Sequence, residues 1–504
     1  MMGFRFVALL GLSLTSAPAF GQGIVYNAAN APDAPTLAEM DWTDSISQYG
    51  ITWTFSDPVP VGQFLTGDYY IVGPATITSV SPAPTGSGSS FRNGSMLNPS
   101  VDTGAAYDGR HLNATWALNR AAQFPLEINP GDSLVSSISL SGPAANEIIV
   151  HSSSPTETTP LRSLAVLTSL AAPVPVDTFR PGYADLQKDT LHRASDIATP
   201  YWNNLPRLAP TAGANSSLFQ FDYLERAFER PWIDHVYGWG SRDMHAVENM
   251  PGYGREVARI VSLGALKLMT DATPEEKATL MYHMMQVGID NWAIAQRGTA
   301  SQPAGWPAQG GFGNGRKFPI VLAAVMLQDE QMLNLSETAP YAMFDEDLHT
   351  AWGESWTGAD VVFTGHSSPP PYPERGPYEH LHPSQWLSSS SESYRRCCTS
   401  TSWVGEALAT MMLGAEDVWD HDPFFAYVDR WMTEDDSQFV QEILAAGMGN
   451  FTASWARQGQ TWEPIVNSMW AAYRNNLPPP IPEPAAATIV AGLGMMLLRR
   501  SRPG

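Results

Sequence analysis

The chain predicts two domains of different class, an N-terminal β-sandwich and an all-α domain of the α/α-toroid type, followed by a short hydrophobic tail. Three observations carry this. Up to about Arg180 the apolar residues come in short β-branched or aromatic runs cut by Pro, Gly, Ser and Asn, the texture of a sandwich. Beyond the proline-rich join at 171–185 the apolar spacing changes to i, i+3, i+4. At 504 residues, with 43% hydrophobic content, both parts can bury a core. The expected boundaries are 1–21 for a leader, 22–175 for the β domain, 176–475 for the helical domain and 476–504 for linker and tail.

Strands are expected at Ile51–Phe55, Tyr69–Gly73, Ala75–Val80, Ser133–Leu140 and Glu147–His151, with turn-rich loops between them. No cluster of His, Cys and carboxylate marks this domain as catalytic. Arg92, Asp108, Arg110 and His111 sit in its long loops and are its only candidates for touching substrate. Helices are expected at Gly254–Thr270, Pro274–Ala295, Arg316–Asp329, Ser400–Leu413 and Asp422–Met432, each read as amphipathic. Thr273 before Pro274, Glu275 and Glu276 is an N-cap followed by a proline and acids, and Asp422-Pro423 is a similar start. Helices in antiparallel pairs with long loops suggest an incomplete toroid, a compact bundle being the alternative. No fixed-length repeat is visible.

The ends bear on location. One arginine, an apolar run from Phe6 to Leu14 and Ala17-Pro18-Ala19 make a secretory signal peptide cleaved near Ala19 or Gly21. At the other end PPPIPEP, from Pro478 to Pro484, leads into AAATIVAGLGMMLL and the cluster Arg499-Arg500-Ser501-Arg502. The apolar stretch is short for a comfortable membrane-spanning helix. These three parts in order resemble the PEP-CTERM sorting tail of Gram-negative bacteria. That resemblance implies export through the inner membrane, retention as a transmembrane segment until an exosortase processes it, and residence at the cell surface, outer membrane or matrix. The only cysteines, Cys397 and Cys398, are neighbours; they are paired with each other, reduced and buried, or nucleophilic.

Charge narrows the partners. The net charge of −22, from 28 basic and 50 acidic residues, argues against nucleic acid or anionic lipid. An acidic ligand needs a local cationic cluster. The stretch Gly305–Asp329, with GGFGNG before Arg316 and Lys317, has that form: glycines that permit close backbone approach, then two cations at a helix start. It lacks GxxxxGK[ST], which disfavours a nucleotide. All but three of the 17 tryptophans fall at Trp202 or later, many in loops, as stacking surfaces for sugar rings would.

Three loops then hold the candidate chemistry: 232–255, 305–317 and 378–403. Cleaving a uronic-acid glycan by β-elimination requires neutralising a carboxylate, taking the C5 proton and protonating the departing oxygen. His245 suits the base or a charge-stabilising partner, Tyr394 the acid or a shared base, and Asn249 and Arg316 the carboxylate. Arg242, Tyr253, Trp239, Trp306, Lys317, Arg396 and Trp403 suit substrate binding, with Tyr253 in reserve for Tyr394. This inventory resembles that of polysaccharide lyases combining an α/α toroid with a β-sandwich, although there the toroid commonly comes first. A glycoside hydrolase would instead use Asp243 or Glu248 opposite Asp347 or Glu379. A non-catalytic exopolysaccharide-binding matrix protein is the third reading. No organic cofactor signature is present; Glu379, His380 and His382, with His366 or His349, are the candidates for a structural divalent metal.

Overall fold

A computed structural model describes residues 31–478 and the strand Ile24–Val25, except 32, 102–103, 113, 142–158, 186–187, 198–201, 203–204, 239, 241–243, 366, 369–377 and 449–457. The leader, the hydrophobic tail and the expected strand Glu147–His151 lie outside the described residues. Among the described residues no helix is long and apolar enough to cross a membrane.

The first half is one sheet of eight strands: β1 (Asp41–Gln48), β2 (Ile51–Gln63), β3 (Tyr69–Val72), β4 (Ala75–Ser81), β5 (Ser95–Leu97), β6 (Leu126–Ile128), β7 (Ser133–Ser139) and β8 (Leu161–Leu170). They lie in the order β5-β7-β8-β3-β2-β4-β6, with β1 paired to β2. Only β3 and β8 run parallel. Tyr49 and Gly50 join β1 to β2 with φ of 50° and 82°, the left-handed pair that suits a tight hairpin. Along β2 the buried Ile51, Trp53 and Phe55 alternate with half-buried threonines, so one face turns inward.

The expected sandwich is corrected here: the strands of 41–170 form one sheet that curls into a half-barrel, and the other β pairs among the described residues have only two strands each. The curl closes around Ile51, Trp53, Phe55, Ile71, Ile77 and Leu167. The opposite face of β7 and β8, with Val135, Leu164 and Val166, belongs to the core of the helical half. Strand β8 is therefore buried on both faces, which is why its residues form a nearly continuous apolar run.

The principal helices are α1 (Phe221–Phe228), α2 (Gly254–Leu268), α3 (Pro274–Ala295), α4 (Lys317–Leu327), α5 (Ser400–Leu413), α6 (Asp422–Thr433), α7 (Ser437–Ala445) and α8 (Pro464–Tyr473). Thr273 accepts from Glu276 N–H while Glu276 accepts from Thr273 N–H, completing the capping box that starts α3.

The toroid is also corrected. Helix α2 packs on α5 and α3 on α4, so α2 and α5 come together from well apart in sequence instead of following one another around a ring. Every residue of α4 and of α5 is buried. Helices that are apolar all round belong in the middle of a body, whereas toroid helices keep an outer polar face. Short β pairs fill the intervening stretch, Ala304–Gly305 with Ala342–Met343 and Thr350–Trp352 with Val361–Phe363.

A buried arginine straps the two halves together. Arg180 donates from Nε to Asp68 in the loop before β3 at 2.6 Å and from Nη2 to Asp290 of α3 at 2.6 Å. All three side chains are out of water. Such a triad holds only because each charge is met.

Candidate functional site

Glycines decide how the loop before α4 sits. A Cβ on Gly311 would lie 2.2 Å from the Cys398 carbonyl, one on Gly313 2.7 Å from the Trp306 carbonyl, and one on Gly315 2.6 Å from Ala258 Cα. The close approach these glycines permit is therefore to the protein's own backbone. The loop is a plug in the interior.

At its base lies a fully buried network. The Asp234 carboxylate is met by His245 Nε2 at 3.0 Å, Arg316 Nε at 2.9 Å and Trp306 Nε1 at 2.8 Å. Arg316 also donates to the carbonyls of Phe312 and Asn314 at 3.0 and 2.6 Å, and its Nη2 lies 3.3 Å from His245 Nε2. The other ring nitrogen of His245 is 2.8 Å from the Pro251 carbonyl. Burial pushes the Asp234 carboxyl up, but Arg316 and His245 outweigh it and hold it down at about 2. These four side chains are each no more than 2% exposed.

Beside this network the interior carries an excess of carboxyls. Glu346 accepts from the Gly315 N–H at 2.6 Å. Burial, with Asp345 next to it, pushes Glu346 up to about 8. Neither carboxyl oxygen of Glu406 meets an N–H among the described residues, and its carboxyl faces that of Glu346. Burial and Glu346 raise Glu406 well above the usual range. Two like groups in one dry site share a proton because both cannot ionise there. His349, stacked on Phe363, is held up by Asp345 against the effect of burial.

Toward the surface two phenols meet the loop. Tyr253 Oη accepts from the Gly311 N–H at 3.2 Å, and the half-buried Tyr394 ring covers Gly310. The Arg255 guanidinium lies 5.4 Å from the Tyr253 ring centre and 5.7 Å from that of Trp462, an indole 41% exposed. Arg255 also donates to the Cys397 carbonyl at 3.2 Å. Cys397 and Cys398 are bonded to each other in the π-helical turn Arg395–Thr399 that leads into α5.

The three loops thus converge, bringing His245, Arg316, Trp306, Tyr253 and Tyr394 into one region. Trp403 joins it through Asn314, whose Oδ1 accepts the indole N–H at 3.0 Å. Others lie apart. Asn249 donates to the Arg230 carbonyl at 3.2 Å, toward the sheet. Lys317 is paired with Asp347 and sits 5.1 Å from the rings of Phe344 and Trp419. Arg396 is paired with Glu392 and Asp436. Trp239, Arg242, Asp243 and His366 lie outside the described residues.

Glu248 is bound by Arg162 and Arg230, and Glu379 by Arg430 at 2.8 Å and the Phe363 N–H at 2.6 Å. His380 is exposed and His382 is bonded to Ser384 at 2.8 Å. Among the described residues no group of three His, Cys, Asp or Glu is placed to hold a metal. Asp108 is bound by Arg92 and Arg110, and His111 is buried beside it. The loop indoles of Trp232, Trp306 and Trp386 and the α5 indole of Trp403 are buried and bonded inward, so these four do not form a sugar platform.

Sequence reasoning gives no role to Asp234, Arg255, Asp345, Glu346, Glu406 or Trp462. The acidic run Asp345-Glu346-Asp347 reads as surface in so negative a chain. Glu406 hides inside an apolar helix, where a lone carboxylate was itself a signal. No family model matches this chain, and neither a curated protein nor a solved structure does.

Proposed function

We propose that this chain is an exported protein acting on an acidic glycan, a polysaccharide lyase whose proton transfer is carried by Tyr394 at the rim of the glycine loop. The observation that carries the reading is the row Trp462, Arg255, Tyr253, Gly311, Gly310 and Tyr394. It joins an exposed indole, a guanidinium paired with Glu256 at 2.8 Å and a half-buried phenol along the glycine loop. Trp462 offers a stacking face to a sugar ring, and Arg255 meets a uronate carboxylate by exchanging its present partner Glu256 for it. The Tyr394 oxygen takes the C5 proton and returns one to the departing oxygen as the C4–O bond breaks and a C4–C5 double bond forms. No water is consumed. Asp234, His245 and Arg316, being out of reach of a polymer, act as positioning residues that hold the loop. Export rests on the two chain ends.

The test is incubation of the secreted protein with alginate, glucuronan and glycosaminoglycans while ultraviolet absorbance of unsaturated uronate is followed. Absorbance that rises and falls by about 100-fold or more in rate in Tyr394→Phe supports the lyase. That variant keeps the ring against Gly310. Reducing ends without absorbance mean a hydrolase, and binding without products means a matrix protein.

A further inference from the structure

Cys397 and Cys398 are the chain's only cysteines, and no step of the elimination uses them. They are bonded to each other. A disulfide stabilises a fold by closing a loop of the unfolded chain, and the effect grows with the length of that loop. This one joins neighbours, so it ties no distant segments together. What it constrains is the turn that holds it.

That turn is the π-helical stretch Arg395–Thr399, which lies between Tyr394 and α5. Single π turns inside a helix are rare and recur at functional sites. Both bonded residues face the glycine-loop rim through their carbonyls. Cys397 O accepts from Arg255 Nη1 at 3.2 Å, and Cys398 O accepts from Asn314 Nδ2 at 2.7 Å. Gly311 lies against the second of them, since a Cβ there would be 2.2 Å from the Cys398 carbonyl oxygen and 3.1 Å from its Cβ. Tyr394 immediately precedes the turn; its carbonyl accepts from Thr399 Oγ1 at 3.1 Å and its ring covers Gly310. One turn therefore positions the guanidinium, the glycine loop and the phenol, and an S–S bond holds that turn. Cys397 is half-buried whereas Cys398 is buried, so Cys397 is the sulfur open to an external thiol.

We propose that Cys397–Cys398 is a redox-modification site, opened by an external dithiol and closed by a small disulfide, whose state sets the rim formed by Tyr394, Arg255 and the glycine loop. A thiolate of the dithiol attacks Cys397 Sγ, the S–S bond breaks, and Cys398 leaves as a thiolate that takes up a proton. The second thiol of the reagent then attacks the mixed disulfide, leaving two protein thiols and the reagent oxidised to its own disulfide. Once the two side chains need not meet, the peptide between them can turn, and the carbonyls that Arg255 and Asn314 hold move with it. Control of catalysis by this site rests on the lyase reading; control of the rim does not.

The experiment compares the full oxidised chain, the same chain after dithiothreitol, the reduced chain reoxidised with cystamine, and the double variant Cys397→Ser/Cys398→Ser. Free thiols are read with a maleimide, amide hydrogen exchange by mass spectrometry, and elimination by absorbance. Dithiothreitol is expected to expose thiols in the folded chain and to speed exchange over 310–316 and 394–399 by about tenfold or more, with α3 unchanged. Cystamine is expected to reverse this, and the unfolding midpoint to move by less than about 3 °C. The double variant is expected to exchange like the reduced chain and to ignore dithiothreitol; if it does not fold, reduction and reoxidation of the parent decide. Elimination is expected to slow by about fivefold or more on reduction and to recover on reoxidation. An exchange response without cleavage of any polymer in either state sinks the lyase reading and leaves the redox site standing. Cleavage at one rate in both states, thiols that never appear in the folded chain, unchanged exchange at the rim, or an equal response of the double variant to dithiothreitol overturns the proposal.

Discussion

Inside the curled sheet, Ile51, Trp53, Phe55, Ile71, Ile77 and Leu167 pack together as one apolar cluster, the Trp53 indole N–H donating to Ser136 Oγ at 3.0 Å. Inside the helical half, Asp234, Arg316, Glu346, Glu379, Glu392, Arg395 and Glu406 are as dry as any leucine. The sheet is specified by alternation along each strand, so a substitution there removes transfer free energy and leaves a cavity. The helical interior is specified by pairing, so removing one member leaves a partner charged and unsolvated. Most of the candidate chemistry lies on the second side of that contrast, because packing charged loops together needs a carboxylate for every guanidinium.

The largest expected effect breaks the comparison directly. Asp234→Ala strands Arg316, His245 and Trp306 and is expected to cost about 3–5 kcal/mol in urea unfolding. Ile71→Ala in the sheet is expected to cost about 2–5 kcal/mol. The two separate on rescue: adding Arg316→Met to Asp234→Ala is expected to recover part of the loss. If the double variant is no more stable than the single, pairing is not what specifies this interior.

A smaller effect sharpens the comparison through pH. Glu346 titrates higher in the folded chain than unfolded, so its contribution is full below about 4.5 and is lost as pH rises through about 8. Asp234 is the opposite case, contributing above its ordinary 3.8 and losing that as pH falls through about 2. Glu406→Gln removes the shared-proton constraint. It is expected to be more stable than the parent by about 1–3 kcal/mol at pH 8.5 and near parity at pH 5, read by thermal unfolding. A difference that does not change with pH would mean that no proton is shared.

The smallest lies at a helix end, where neither interior is involved. Thr273→Ala removes one side of the α3 capping box and is expected to cost about 1 kcal/mol. A loss matching that of Asp234→Ala would show that local caps and buried pairs are not separable in this half.

Local rules carry far in this chain. The strand at Ile51–Phe55, the N-cap at Thr273 and the span of α3 can all be read from neighbours a few residues apart, because strand pleat and helix pitch are short-range. The 232–255, 305–317 and 378–403 loops stand out by their density of functional side chains, but their convergence follows from sequence only if helices alternate up and down around a toroid, which the fold does not bear out. Nor are the charge pairings there legible from sequence. Arg316 and Lys317 read as cations awaiting an external anion, whereas Asp234 and Asp347 already meet them. The partners are 82 and 30 residues away, and spacing along the chain does not report such pairings.

What the amino-acid order determines by itself is the change from strand period to helix period near Arg180 and the starts of α2 to α6; the helices α1, α7 and α8 are not read from it. What only the tertiary structure decides is which layer covers each apolar face and which charge meets which. The helical half covers β7 and β8 where a second sheet was expected, and α4 and α5 occupy the centre where a ring of paired helices was expected. An apolar face states that it must be buried without stating by what. That choice is made by the shape and charge of surfaces that meet only once the chain has folded.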